Sequence, residues 1–268
     1  MMYKLRDWIP LDNLTWNGLS ENPHAIHLLE KNQEQIDWIS LSANPNAIHL
    51  LQNNPEKINW SRLSTNPNAT ELLRQNFDKI DWIAININPN AMEFLYKYPT
   101  AIDWSILSSN PSAIDLLFEN HDKIDWMYFS SNSNRKAITY LEDNPHNIDW
   151  RLLSENPSAW KLLLDNPDKI DWFYLSYNSN PHILPLLEEN LDLINWWNVS
   201  TNPISLPLLQ KNTKHIHWEW LSINPAIFTY DYDHMKDYTN VYKEELMEVV
   251  FHPRNYNKFV SWGFDEFV

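Results

Sequence analysis

The residues best suited to chemistry stand in pairs. His24 and His27 lie three apart, a spacing that puts two imidazoles on one helix face where they could share a ligand, and His215 and His217 flank Ile216 at a helix start. Neither pair has a third ligand placed by sequence, and His217 occupies a capping slot, so no metal site is expected. Glu188-Glu189 and Glu244-Glu245 pair carboxylates, the raw material of acid–base hydrolysis. They fall on helices expected to be solvated, where nothing would desolvate one acid and raise its pKa. Serine recurs four places after most tryptophans (Ser42, Ser64, Ser108, Ser130, Ser154, Ser176, Ser200, Ser222). An active site occurs once, whereas a residue present in every unit is scaffolding. The absence of cysteine excludes disulfides, cysteine–zinc sites and thiolate catalysis. Two glycines, Gly18 and Gly263, cannot build a phosphate-cradling loop. The sequence therefore predicts no catalytic residue, no metal and no cofactor.

Charge narrows the partners. With 20 Lys plus Arg against 35 Asp plus Glu, the net charge is -15, which repels a phosphate backbone and favours basic protein partners. No apolar run approaches the roughly 18–20 residues of a membrane span, and the first residues, Met1 to Asp7, lack the apolar core of a signal peptide. The expectation is an intracellular protein that binds neither nucleic acid nor membrane.

The organisation is a repeat. Tryptophans stand at 16, 38, 60, 82, 104, 126, 150, 172, 196 and 218, spaced by 22 or 24 residues. Around each, the chain follows Ile-Asp-Trp-x-x-Leu-Ser-x-Asn-Pro-x-Ala-Ile-x-Leu-Leu-x-x-Asn, nearly intact from Ile102 to Asn120. Asp or Asn before the Trp can accept from the free amides that open a helix. The preceding Ile and the Leu three after the Trp take hydrophobic-staple positions. Asn-Pro six residues after the Trp starts a second helix, with Asn as cap and Pro where its missing donor costs nothing. Ala, Ile, Leu and Leu then gather on one helical face. The closing Asn, as at 32, 54 and 76, suits a left-handed C-cap, and a following Pro confirms the stop.

Such short helices are marginal alone. Stability must come from stacking, so the predicted fold is an all-α solenoid of about ten 22–24-residue two-helix repeats with helical caps. Its boundaries are an N-terminal cap at 1–15, a solenoid at 16–228 and a C-terminal cap at 229–268. With neighbouring helices about 8–10 Å apart, ten units would form a rod or gentle superhelix on the order of 90 Å long. Both 24-residue units carry their extra residues between the paired helices, at 132–134 and 178–180. After Pro225 the period stops; residues 243–250 read as a helix and 251–259 restart a short one that ends near Gly263.

The Asn-Pro-x-Ala-Ile-x-Leu-Leu and Ile-Asp-Trp-x-x-Leu-Ser units, with Pro-Ala-Ile-Phe at 225–228 and His-Pro-Arg at 252–254, resemble the short-repeat proteins encoded in many copies by giant viruses, the nucleocytoplasmic large DNA viruses. The resemblance spans nearly the whole chain. Departures are Arg135 for Pro, Ile183 for Ala and Asn86 for Ser. It implies a viral source, a place in the host cytoplasm, viral factory or virion, and a helical repeat protein, and it supplies no catalytic residues to carry over.

Function is sought where the repeat leaves positions free. One and two places after the Trp, the later units carry Met127, Tyr128, Phe173, Tyr174, Trp197 and Trp220, types enriched in binding hot spots. They either pack against the following unit or form a partner-binding stripe on the first helices. Eleven places after the Trp, Glu71, Glu93 and Asp115 follow His27 and His49 as a ridge that is a solvated face or a docking strip for a basic protein. The functional expectation is a non-enzymatic interaction scaffold for a host or viral protein; the alternative is a minor virion component that bridges other viral proteins.

Overall fold

The computed structural model describes residues 3–232 together with 235, 236, 243, 247 and 248. They are mostly helical and fall into two compact units, 5–228 and the two ends, 1–4 with 229–268. The sequence readings at 243–250 and 251–259, and His252-Pro253-Arg254, lie wholly or largely outside the described residues. The only strands among the described residues, β1 (Tyr3–Leu5) and β2 (Phe228–Tyr230), pair in a two-stranded sheet. Tyr3 stacks on Tyr230 with ring centroids 5.0 Å apart.

Each repeat of the 5–228 unit begins where its tryptophan begins. Repeat 2 is typical: Trp38–Ala43, Ile48–Asn53, then the 3-10 turn Pro55–Lys57. The Asp37 side chain accepts from the Ser40 amide at 2.8 Å, so the residue before the Trp is the N-cap. The sequence pattern predicted two helical pieces; the third is the 3-10 turn that Pro starts after the closing Asn. That Asn is not left-handed: Asn32 has φ -132° and ψ 52°, and Asn54 φ -136° and ψ 59°. It ends the helix with its side chain instead, Nδ2 donating to the carbonyl four residues back, as Asn54 does to Leu50 at 2.9 Å. This satisfies an orphan carbonyl without a positive φ.

Two side chains join the repeats. The serine four after the Trp donates to the Trp carbonyl and accepts the N-cap amide of the next repeat: Ser42 Oγ to Trp38 O at 2.7 Å, and Asn59 N to Ser42 Oγ at 3.0 Å. Asn86, the departure in repeat 4, does both jobs with its amide. The asparagine six after the Trp accepts from the amide two residues on and spends both Nδ2 hydrogens on the preceding repeat: Asn44 donates to Ser20 O and Asn22 O, each at 2.9 Å. These asparagines are buried to about 2% exposure or less, and no buried side-chain N or O among the described residues lacks a partner. In the two 24-residue repeats the jobs are divided. Asn132 and Asn178 keep the inter-repeat bonds, while Asn134 and Asn180 cap the following helices.

The inter-repeat bonds do not end at the last repeat. Asn22 of repeat 1 donates to Ser222 O at 3.0 Å and Asn224 O at 2.9 Å of repeat 10, and the Thr15 amide donates to Ser222 Oγ at 2.9 Å. The first helix, Trp16–Glu21, packs on the last, Trp218–Leu221. Residues 5–228 are thus a closed ring of ten repeats, not the expected open rod or gentle superhelix. Nor does the segment before Trp16 cap an open face. Leu14 fills the Ile slot, Leu11–Asn13 forms the 3-10 turn, and the Arg6 amide and Nε donate to Ile227 O and Ala226 O at 3.0 and 2.8 Å. Both ends of the ring segment complete the tenth repeat, whose second helix is absent after the 3-10 turn Pro225–Ile227.

The core lies between two tiers of helices and holds the motif leucines and alanines, such as Leu41, Ala47 and Leu51, at 0% exposure. All ten motif tryptophans are only half-buried. On three of them a side chain of the 3-10 turn that closes the same repeat covers the ring: Lys57 Nζ lies 4.4 Å from the Trp38 ring centroid, Lys79 4.6 Å from Trp60, and His215 stacks on Trp196 at 4.4 Å.

Candidate protein interface on the inner face of the ring

First helices pack on first helices at most junctions of the ring, whereas second helices meet one another only weakly, so the first helices form the inner tier. An ion pair shows which side is concave. Arg62 of repeat 3 reaches Glu21 of repeat 1 at 3.1 Å, passing over repeat 2. Side chains two repeats apart can meet only where the wall curves towards them.

Positions one, two and five after the Trp share this inner face. Helical geometry places them opposite the buried Leu at three and Ser at four. Nine large apolar side chains are exposed there: Ile39, Ile83, Ile87, Met127, Tyr128, Phe173, Tyr177, Trp197 and Trp220. Trp197 is 54% and Ile83 66% exposed, so neither is needed to bury a seam. Of the six residues singled out from sequence, five are exposed and Tyr174 is half-buried, its ring 5.3 Å from Phe173 in an edge-on contact. Ile39, Ile83, Ile87 and Tyr177 were missed. Ile87 and Tyr177 sit five after the Trp, a helical spacing from position one that could have found them.

Polar groups on this wall are mostly spent. Thr65, Ser109, Ser131 and Thr201, all five after the Trp, donate to the carbonyl three back in their own helices. Arg62 is paired with Glu21, and Arg151 with Asp149 at 2.9 Å. Two carboxylates remain without a cation among the described residues, Glu155 and Glu219. Burial pushes the Glu155 carboxyl above its usual range, and Tyr177 is raised first by burial and then by the neighbouring Glu155 charge.

The acidic ridge is on the second helices and is not a bare acidic strip. Arg74 bridges Glu71 and Glu93, and Lys136 pairs with Asp115. The histidines of the ridge join it: His49 lies 3.0 Å from Glu30, and His27 3.7 Å. A mixed-charge ladder across repeats offers a basic partner little.

The histidine pairs do not converge on a ligand. His24 Nδ1 contacts Pro225 O at 2.9 Å across the closing seam. His217 precedes Trp218 and lies edge-on to Trp197. Burial, then the neighbouring His215, lowers its pKa. No group of three His, Asp or Glu among the described residues is placed to hold a metal. An open cleft of about 440 Å³ on the outer tier, lined by Phe118, Arg135, Lys136, Thr139, Tyr140 and Asp143, brings no acid–base pair together. No helix among the described residues is long and apolar enough to cross a membrane.

No protein-family model, curated protein or solved structure matches the chain. The arrangement must be read from its own geometry. The wall carries exposed aromatic and aliphatic side chains in repeats 2, 4, 6, 8, 9 and 10, with most hydrogen-bonding groups already satisfied. Such a wall can bury apolar surface of a partner.

Proposed function

We propose that this chain is a non-enzymatic protein-interaction scaffold that holds a protein partner against the inner face of its ring. What supports the reading is that nine large apolar side chains on a concave wall are each left more than a third exposed. Exposed apolar surface gathered on one face marks binding sites, and Trp and Tyr are the types that carry binding energy. The family resemblance adds a setting: a viral protein whose partner is a host or viral protein in the infected cell.

The test is quantitative affinity capture from infected-cell lysate with three proteins: the intact chain, Phe173→Ser/Trp197→Ser/Trp220→Ser, and Leu164→Ser, which alters an exposed apolar residue of a second helix. A partner captured by the intact chain and Leu164→Ser but lost from the inner-face variant supports the scaffold. Recovery of only the chain itself or virion proteins, unchanged by the inner-face substitutions, overturns it in favour of a particle component.

A further inference from the structure

The bore of the ring is matched to one kind of occupant. Ten first helices about 8–10 Å apart put their axes on a circle of radius about 13–16 Å. Taking off about 5–6 Å for each helix with its side chains leaves a passage roughly 15–20 Å across. An α-helix with side chains is about 10–12 Å in diameter, so one helix fits and two do not.

Hydrogen bonding also selects a helix. An extended peptide carries a free N–H and C=O at every residue and needs partners for them once buried. The wall has few to offer: its backbone groups are in helices, its hydroxyls at position five are turned back on their own carbonyls, and Asn198 gives its amide to Phe173 O at 2.8 Å. A helix arrives with its backbone already satisfied. Charge sets its polar side. The arginines of the wall are paired, whereas Glu155 and Glu219, beside Tyr177 and Trp220, have no cation among the described residues, so the occupant gains by carrying Lys or Arg next to its apolar stripe.

We propose that the ring receives a single amphipathic α-helix of a partner protein, its apolar stripe against Phe173, Trp197 and Trp220 and its basic residues beside Glu155 and Glu219. The proposal rests on the interaction-scaffold reading above and names the class of partner. The site is the concave wall of repeats 6 to 10, completed by Ile83 and Ile87 opposite.

The probes are three labelled 18-residue peptides: a Leu/Lys amphipathic helix, the same with Glu for every Lys, and the Leu/Lys peptide with two central prolines that prevent a helix. Fluorescence anisotropy measures each against the full chain, Phe173→Ser/Trp197→Ser/Trp220→Ser, and Leu164→Ser, with thermal melts to show that both variants fold. The basic helix is expected to bind the full chain and Leu164→Ser alike, and at least about tenfold more weakly to the inner-face variant. The acidic and proline-broken peptides are each expected to bind at least about tenfold more weakly than the basic helix. Equal binding by the proline-broken peptide overturns the proposal. So does basic-helix binding that survives the inner-face substitutions and vanishes in about 0.5 M salt, which is attraction to a chain of net charge -15 and nothing more. If no peptide binds while lysate capture still loses a partner with the inner-face variant, the helix inference fails and the scaffold reading stands.

Discussion

The junction between repeats 10 and 1 and the junction between repeats 1 and 2 make corresponding bonds with different residues. Inside the chain, Asp37 takes the N-cap slot, Asn44 reaches back to two carbonyls, and Asn46 Nδ2 donates to Pro23 O at 2.9 Å. At the closing seam Thr15 is the cap, Asn22 reaches to Ser222 O and Asn224 O, and His24 Nδ1 takes Pro225 O at 2.9 Å. The closing seam is also drawn closer. A Cβ on Gly18 would stand 2.5 Å from Ser222 Cβ, whereas Ser40 fills the equivalent position at the interior junction. The comparison teaches that the repeats are aligned by buried amides rather than by chain continuity, and that closure needed its own local adjustments.

The largest effect on this comparison comes from the amides. Asn44→Ala leaves the Ser20 carbonyl buried without a donor, at about 1–3 kcal/mol, and takes from the Asn22 carbonyl one of its two, the other being the Ala25 amide, so chemical denaturation should show a loss of about 2–4 kcal/mol. Asn22→Ala should cost a similar amount and in addition open the ring, because no peptide bond spans that seam. Small-angle scattering would then report an expanded particle for Asn22→Ala and an unchanged one for Asn44→Ala. Equal dimensions would mean that the closing seam is held by something else.

Gly18→Ala comes next. The added methyl must push the first and last helices apart, at about 1–3 kcal/mol as for other overpacked sites. Hydrogen exchange should quicken in residues 15–24 and 222–228 while repeats 4–6 keep their protection. Ser40→Ala, at the matching interior position, should change stability by less than about 0.5–1 kcal/mol.

The inner wall and the core of one repeat separate in the same way. Ile85→Ala, in the core at 0% exposure, should cost about 2–5 kcal/mol, and Ile83→Ser, two residues away and exposed, within about 0.5 kcal/mol of zero.

The smallest effect is electrostatic. Burial raises the folded-state pKa of Glu155, so the ring holds its proton more firmly than the unfolded chain. That contribution is complete below the unfolded carboxylate value of about 4.3 and is lost as pH rises through the higher folded value. Glu155→Gln should therefore melt slightly higher than the parent at pH 7 and level with it near pH 4. An unchanged difference across that range would remove burial as the cause.

Local rules were enough for what depends on neighbours within one repeat: the period, the residue before Trp as cap, and the serines as scaffolding. These follow from spacing, because capping and helical facing act over three to six residues. The sequence reading misjudged the closing asparagine, since a side chain that bonds four residues back and one that tolerates a positive φ are the same residue type. It left Glu71, Glu93 and Asp115 open between a solvated face and a docking strip, since their cations Arg74 and Lys136 come from the same or neighbouring repeats in a register that only packing sets.

Closure was decided by the tertiary structure alone. Whether ten similar repeats make a rod or a ring depends on a rotation of a tenth of a turn per repeat, which arises from how much tighter the first helices pack than the second. Such a difference is spread over every contact and written in none. The pairing of Asn22 with Ser222 and Asn224 across some 200 residues has no local signature, yet it turns the free positions of the first helices inward and so makes a wall for a partner from what would otherwise be an open flank.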